Sequence, residues 1–177
     1  MSILKINQSI KIVQANKRQD ICLAHEVLKE VNSWLALKKI PLWTEDEISI
    51  DKMLHYLESE TLYLVFQNKN IVGVFCYEIE DQIFWADYPG GEAAFIHRLA
   101  IKRNFSSQGI SQYIINWAIA KTKKDGFKYL RLDCLSDRKK LCVLYESMGF
   151  LRVEDIQVDC LSIPSARYQI NTIQFQP

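Results

Sequence analysis

Leu99-Ala100-Ile101-Lys102-Arg103-Asn104-Phe105-Ser106-Ser107-Gln108-Gly109-Ile110-Ser111 is the stretch on which the reading of this 177-residue chain turns. Its first three residues end an apolar run, Ala93 to Ile101, that reads as a central strand. Ser106 to Ser111 read as a turn, and Ile110, Tyr113, Ile114, Trp117 and Ala118 then recur at helical spacing, up to a lysine-rich last turn and Gly126. Strand, turn and helix in that order expose unpaired helix amides and the positive end of the helix dipole at the turn, which suits a bound phosphate. Gly109 lets a ligand approach the main chain, Ser106 and Ser107 can donate hydroxyls, and Lys102 and Arg103 add charge. The same residue types also serve ordinary helix capping, so the turn alone does not decide between the two. The absence of Gly-x-x-x-x-Gly-Lys-Ser/Thr and of Gly-x-Gly-x-x-Gly disfavours nucleoside triphosphate and dinucleotide folds.

On the N-terminal side, Ile10 to Val13 read as a strand, and Ala24, Val27, Leu28, Val31, Trp34 and Leu35 as one face of a long helix. Thr44-Glu45-Asp46-Glu47 is a capping-box pattern and predicts a second helix opening at Thr44. Thr61 to Phe66 and Ile71 to Ile79 read as antiparallel strands joined at Asn68-Lys69-Asn70, with a polar and aromatic loop from Glu80 to Glu92 after them. On the C-terminal side the expected order is strand (Tyr129 to Cys134), helix (Arg138 to Met148), strand (Phe150 to Val158), a turn at Pro164, and strand (Arg167 to Phe175). The expected fold is α/β: a mixed, mostly antiparallel central sheet with helices on both faces and a parallel pair in the second half.

A hydrophobic content of 49% over 177 residues predicts one core, and residues 1–177 are read as a single domain. A formal charge of +1, from 22 basic and 21 acidic residues, gives no general reason to bind nucleic acid or an anionic membrane. Cys22, Cys76, Cys134, Cys142 and Cys160 have neither disulfide nor zinc-site spacing and read as reduced thiols, so no metal is expected. No apolar run approaches the roughly 18 residues that span a bilayer, and a cytoplasmic protein is expected.

Taken with Leu144-Tyr145-Glu146-Ser147-Met148-Gly149-Phe150, the opening stretch resembles the two core motifs of the GNAT superfamily of N-acetyltransferases. The resemblance implies a GNAT-like domain using acetyl-CoA. Its pyrophosphate would lie on Ser106, Ser107, Gln108, Gly109, Ile110 and Ser111, with Arg103 and Arg138 close to phosphate. Its pantetheine arm would pair with the main chain of Leu99, Ala100 and Ile101. The family pattern usually has Gln or Arg where Ser106 stands, Gly or Ala at Ser111, proline at Arg103 and asparagine at Arg138. The resemblance also places Tyr145 beside the thioester sulfur.

Acyl transfer to an amine needs a neutral nucleophile, stabilisation of the thioester oxygen and a proton for the departing thiolate. Tyr145 is the candidate acid; it shares its helical face with Leu141, Leu144 and Met148 and reads on spacing alone as a packing residue just as well. For the base, Glu78, Glu92 and His97 are open, with Glu78 and His97 carried forward. Trp43, Tyr77, Trp85 and Asp87 are the candidate walls for a small-molecule or peptide amine, although aromatics in such positions also cover core. A non-catalytic acyl-CoA-binding module is the alternative, and a homodimer is left open.

Overall fold

The structure, a computed structural model, describes residues 10–159 and 161–175, so Cys160 and the N-terminal Met1 to Ile6 stretch lie outside the described residues. In chain order the elements are β1 (Ile10–Gln14), α1 (Arg18–Leu37), α2 (Ile50–Met53), α3 (His55–Glu58), β2 (Leu62–Gln67), β3 (Asn70–Glu78) and β4 (Ala93–Ile101). A 3-10 turn at Arg103–Phe105 leads to α4 (Ile110–Lys124), β5 (Tyr129–Leu135), α5 (Lys139–Ser147), β6 (Leu151–Ile156) and β7 (Ser165–Asn171). The strands form one seven-stranded sheet in the order β1-β2-β3-β4-β5-β7-β6. β4 and β5 pair in parallel, whereas β1–β2, β2–β3, β5–β7 and β6–β7 are antiparallel. The mixed, mostly antiparallel sheet is the one the sequence predicts.

Packing divides the chain into two compact units. One holds the chain through Cys76 together with Arg98–Ile114. In it, α1 buries Ile21, Ala24, Val27, Leu28 and Val31, a stripe at helical spacing, in a cluster with Leu62 and Leu64 of β2, Val74 and Cys76 of β3, and Met53. Each fully buried Leu or Ile contributes roughly 1.5–3 kcal/mol, so this stripe is what holds the helix in place. The other unit holds Tyr77–His97 and the chain from Ile115 onward. Its aromatic cluster is Trp85, Ala93 and Phe95, with Phe84, Tyr88, Tyr129 and Val153 packed around it. Among the described residues no helix is long and apolar enough to cross a membrane.

One predicted boundary moves. The Thr44 box closes, with the Thr44 amide on Glu47 Oε2 at 2.6 Å and the Glu47 amide on Thr44 Oγ1 at 3.2 Å, yet it encloses a turn and not a helix. The helix starts at Ile50, after Ser49, whose side chain accepts from the Lys52 amide. Ile48 and Met53 are both buried in the first cluster, and five residues apart they cannot share one helical face. Extended backbone at Ser49 lets both reach the core. The last strand is also shorter than predicted, since Thr172 leaves it to bond the carbonyls of Phe127 and Lys128.

β3 passes very close to β4 at Gly73, where an added Cβ would sit 2.9 Å from the Ala100 carbonyl oxygen. Backbone cannot yield there as a flexible side chain would. Gly73→Ala is therefore expected to cost on the order of 1–3 kcal/mol and to lower Tm by several degrees, while Gly90→Ala, with nothing within 4 Å, leaves it unchanged. Thermal melts of the two variants check this.

Candidate active site

The turn after β4 is built from alternating backbone hands. Ser107 has φ 60° and Gly109 φ 80°, and Ile110 then opens the 15-residue helix α4. Such alternation turns successive amides to one side and makes a concave anion site. Among the described residues the amides of Ser107, Gln108 and Gly109 have no main-chain acceptor, and nothing lies within 4 Å of the position a Gly109 Cβ would take. Ile110 is 1% exposed and anchors the helix start. The side chains around the turn are used locally: Ser106 Oγ donates to the Arg103 carbonyl at 2.8 Å and Gln108 Nε2 to the Asn104 carbonyl at 3.1 Å. The Arg103 guanidinium lies 3.8 Å from the Trp34 ring centre, and its amide donates to Glu30. The Ser106 hydroxyl is thus engaged within the loop, while the three main-chain amides are left without a backbone acceptor among the described residues.

β4 itself changes character along its length. Its register with β5 covers Ala93, Ala94 and Phe95, and among the described residues no pairing with β5 continues beyond, so the main chain of Leu99–Ile101 is not used by β5. Arg98 has φ 51°, a left-handed conformation inside a strand, which marks a bulge. Its side chain is held by a 2.6 Å bond from Nε to the Tyr56 hydroxyl.

His97, one residue earlier, lies among three carboxylates. Its Nε2 is 3.4 Å from Asp81 Oδ2 and 3.6 Å from Glu78 Oε2, and its Nδ1 is 3.8 Å from Asp133 Oδ1. Asp81 is fixed by the amides of Ile83 and Phe84, both donating to Oδ1, and Asp133 by the Ser165 hydroxyl donating to Oδ2. Burial, opposed by the Ser165 bond and reinforced by Asp81, raises the Asp133 carboxyl to about 7.

Tyr145 occupies the inner face of α5, against the rings of Phe150 and Tyr168. It is 8% exposed, and its hydroxyl makes no hydrogen bond among the described residues. Burial first, then the neighbouring Cys134, Asp133 and Cys142, holds its hydroxyl well above the usual phenol range, so it is protonated at neutral pH. Arg138 stands at the N-cap of α5 without a side-chain cap bond and pairs with Asp137 at 3.5 Å.

Residues 28–150 match the acetyltransferase (GNAT) family. The chain belongs to that family. A curated relative, the uncharacterized N-acetyltransferase YesJ of Bacillus subtilis, is 33% identical over 70 residues, which span 40% of this chain and 39% of YesJ. The fold is that of solved GNAT structures. A GNAT acetyltransferase from Listeria monocytogenes superposes with a TM-score of 0.74 at 17% identity, over 92% of this chain and 94% of that one. The yncA protein of Salmonella typhimurium, solved with its cofactor acetyl-CoA, gives 0.68 at 12% identity, over 96% and 97%.

Within this GNAT domain the four residues predicted to wall the acceptor have other engagements. Trp85, 2% exposed, is core. Asp87 forms a fork with Arg167, Oδ2 meeting Nη1 at 3.0 Å and Oδ1 meeting Nη2, and the guanidinium beside it lowers its carboxyl. The Tyr77 hydroxyl donates to Asp125 at 3.0 Å, and Trp43 packs partly buried on the first cluster. Asp81 and Asp133 went unnoticed in the sequence. Asp133 did carry a signal, as an acid inside the apolar strand Tyr129–Leu135; Asp81, in a polar loop, carried none.

Arg167, whose side chain is 4% exposed, also donates to Glu154 and the Phe84 carbonyl. Asp87→Ala removes one of its two anions from a buried cation and is expected to cost about 1–2 kcal/mol. A urea denaturation midpoint equal to that of the parent would contradict this.

Proposed function

We propose that this GNAT domain transfers the acetyl group of acetyl-CoA to a primary amine of a small molecule or peptide, by direct attack of the amine on the thioester. The observation that carries the reading is the turn at Ser106–Ser111, with left-handed backbone at Ser107 and Gly109 and unaccepted amides at the start of α4. That arrangement suits a pyrophosphate whatever the side chains, so Ser106 and Ser111 can stand where the family has other residues. The acetyl-CoA held by the yncA protein supports the same cofactor here. The reading places the pantetheine arm along Leu99, Ala100 and Ile101, on the part of β4 that β5 leaves, with a main-chain amide there polarising the thioester carbonyl. Arg103 and Arg138 add positive charge for the phosphates.

In the same reading Tyr145 donates its proton to the departing thiolate, consistent with a hydroxyl that stays protonated and makes no other bond among the described residues. His97 and Glu78 take the amine's proton, directly or through water. The carboxylates around His97 favour an ammonium at the acceptor position, the role expected of Asp87 on sequence grounds. Reduced thiols at Cys22, Cys134 and Cys142 support a reducing, cytoplasmic setting.

The test is acetyl-CoA-dependent thiol release against a panel of amines, amino acids and peptides. Tyr145→Phe should lower kcat by roughly 10²-fold or more while cofactor affinity by calorimetry is retained. Gly109→Val should weaken acetyl-CoA binding at least tenfold with a normal far-ultraviolet spectrum, because its φ of 80° suits glycine and its surface faces open space. Tight cofactor binding with no release above hydrolysis for any amine would replace the enzyme by an acyl-CoA-binding module.

A further inference from the structure

The groups around His97 are too far apart to be a finished hydrogen-bond network, and the carboxylates on its Nε2 side are spaced from it as ligands of one ion are. Hydrogen bonds between nitrogen and oxygen close to about 2.7–3.0 Å. Here Nε2 stands 3.4 Å from Asp81 Oδ2 and 3.6 Å from Glu78 Oε2; the 3.8 Å approach of Asp133 Oδ1 is to the other ring nitrogen, Nδ1, and one ion takes only one of the two. Two ligands bound at about 2.1 Å to a tetrahedral ion lie about 3.4 Å from each other. One ligand atom from each of Asp81, His97 and Asp133 lies within 4.8 Å of the others.

Two further observations separate this cluster from an ordinary acidic surface. The Asp81 side chain is only 4% exposed, yet its Oδ2 has no hydrogen-bond partner among the described residues and faces the imidazole. A buried carboxylate oxygen left so is costly unless something cationic meets it. Both aspartates also have one oxygen tied down and the other presented: Asp81 Oδ1 by two loop amides, Asp133 Oδ2 by Ser165. Outer bonds of that kind orient the first ligands of protein metal sites. The nearby guanidinium of Arg167 is committed to Asp87, Glu154 and the Phe84 carbonyl.

We propose that Asp81, His97 and Asp133 form a binding site for one first-row divalent transition metal ion, with Glu78 beside it as a further carboxylate. One imidazole with oxygen ligands suits Zn²⁺ or Mn²⁺, and the imidazole sets it apart from a Ca²⁺ or Mg²⁺ site. The site does not depend on acetyl transfer. An ion there takes an imidazole lone pair, so metal loading and use of His97 as a base exclude each other.

The experiment is calorimetric titration of the chelator-treated protein with ZnCl₂, and of a parallel sample with MgCl₂. The expected result is one equivalent of Zn²⁺ bound and a Tm raised by several degrees, with neither effect from Mg²⁺. Asp81→Asn and His97→Gln should each weaken Zn²⁺ at least tenfold, and Ser165→Ala, which touches no ion, by 10- to 100-fold, the range for lost outer-shell support. His55→Gln and Cys22→Ser, away from the cluster, should bind as the parent does. Absorption of the Co²⁺-loaded protein in the visible provides a second readout where a variant folds poorly. No heat of binding, or unchanged binding in His97→Gln and Asp81→Asn, overturns the proposal. Zn²⁺ binding without loss of acetyl transfer leaves the site standing and removes His97 from the role of base.

Discussion

A strand in a sheet ordinarily uses its main-chain groups on both sides, and the part of β4 beyond Phe95 does not pair with β5. A free edge of that kind is a liability in most proteins, because it invites pairing with any exposed strand. Here the ladder stops beside a bulge, where Arg98 sits at φ 51°, a conformation that costs a non-glycine residue about 1–2 kcal/mol. The bond from Arg98 to Tyr56 and the burial of Ala100 help hold that strained residue in place. The rest of the cofactor reading depends on this choice, since a main chain committed to β5 would have nothing to offer a pantetheine arm.

The turn that follows continues the same principle. Recognition by amides would be insensitive to side-chain identity, so serines at positions 106 and 111 are compatible with the proposed pyrophosphate site. Ser106 spends its hydroxyl on the Arg103 carbonyl, shaping the loop, and the Arg103 guanidinium sits over the Trp34 ring.

Elements whose evidence is local were legible in the sequence. Ala93–Ile101 is the strand that the apolar run marked, end to end, and α4 starts within the Ser107–Ser111 turn as its stripe requires. The Thr44 box was legible as chemistry but not as a helix start, because where Ile48 must go is decided by the core. The cluster around His97 draws on positions 78, 81, 97 and 133, with no periodicity linking them, and each alone reads as a solvated acid or a packed imidazole. Asp87 and Trp85 read as walls of an amine site, their packing being hidden for the same reason. Their partners are Arg167, 80 positions from Asp87, and the aromatic cluster that closes over Trp85.

The strand order has a further consequence for how the chain comes into being. β7, the last strand, lies between β5 and β6, and β6 pairs only with it among the described residues. Arg167, which ties down the Phe84 to Asp87 loop, also arrives on β7. During synthesis, β6 and the Arg167 bonds of that loop must therefore wait for β7. The sheet on this side forms late, from contacts distant in sequence: a chain ending before Ser165 leaves β6 without a partner and turns β5, interior in the finished sheet, into an edge.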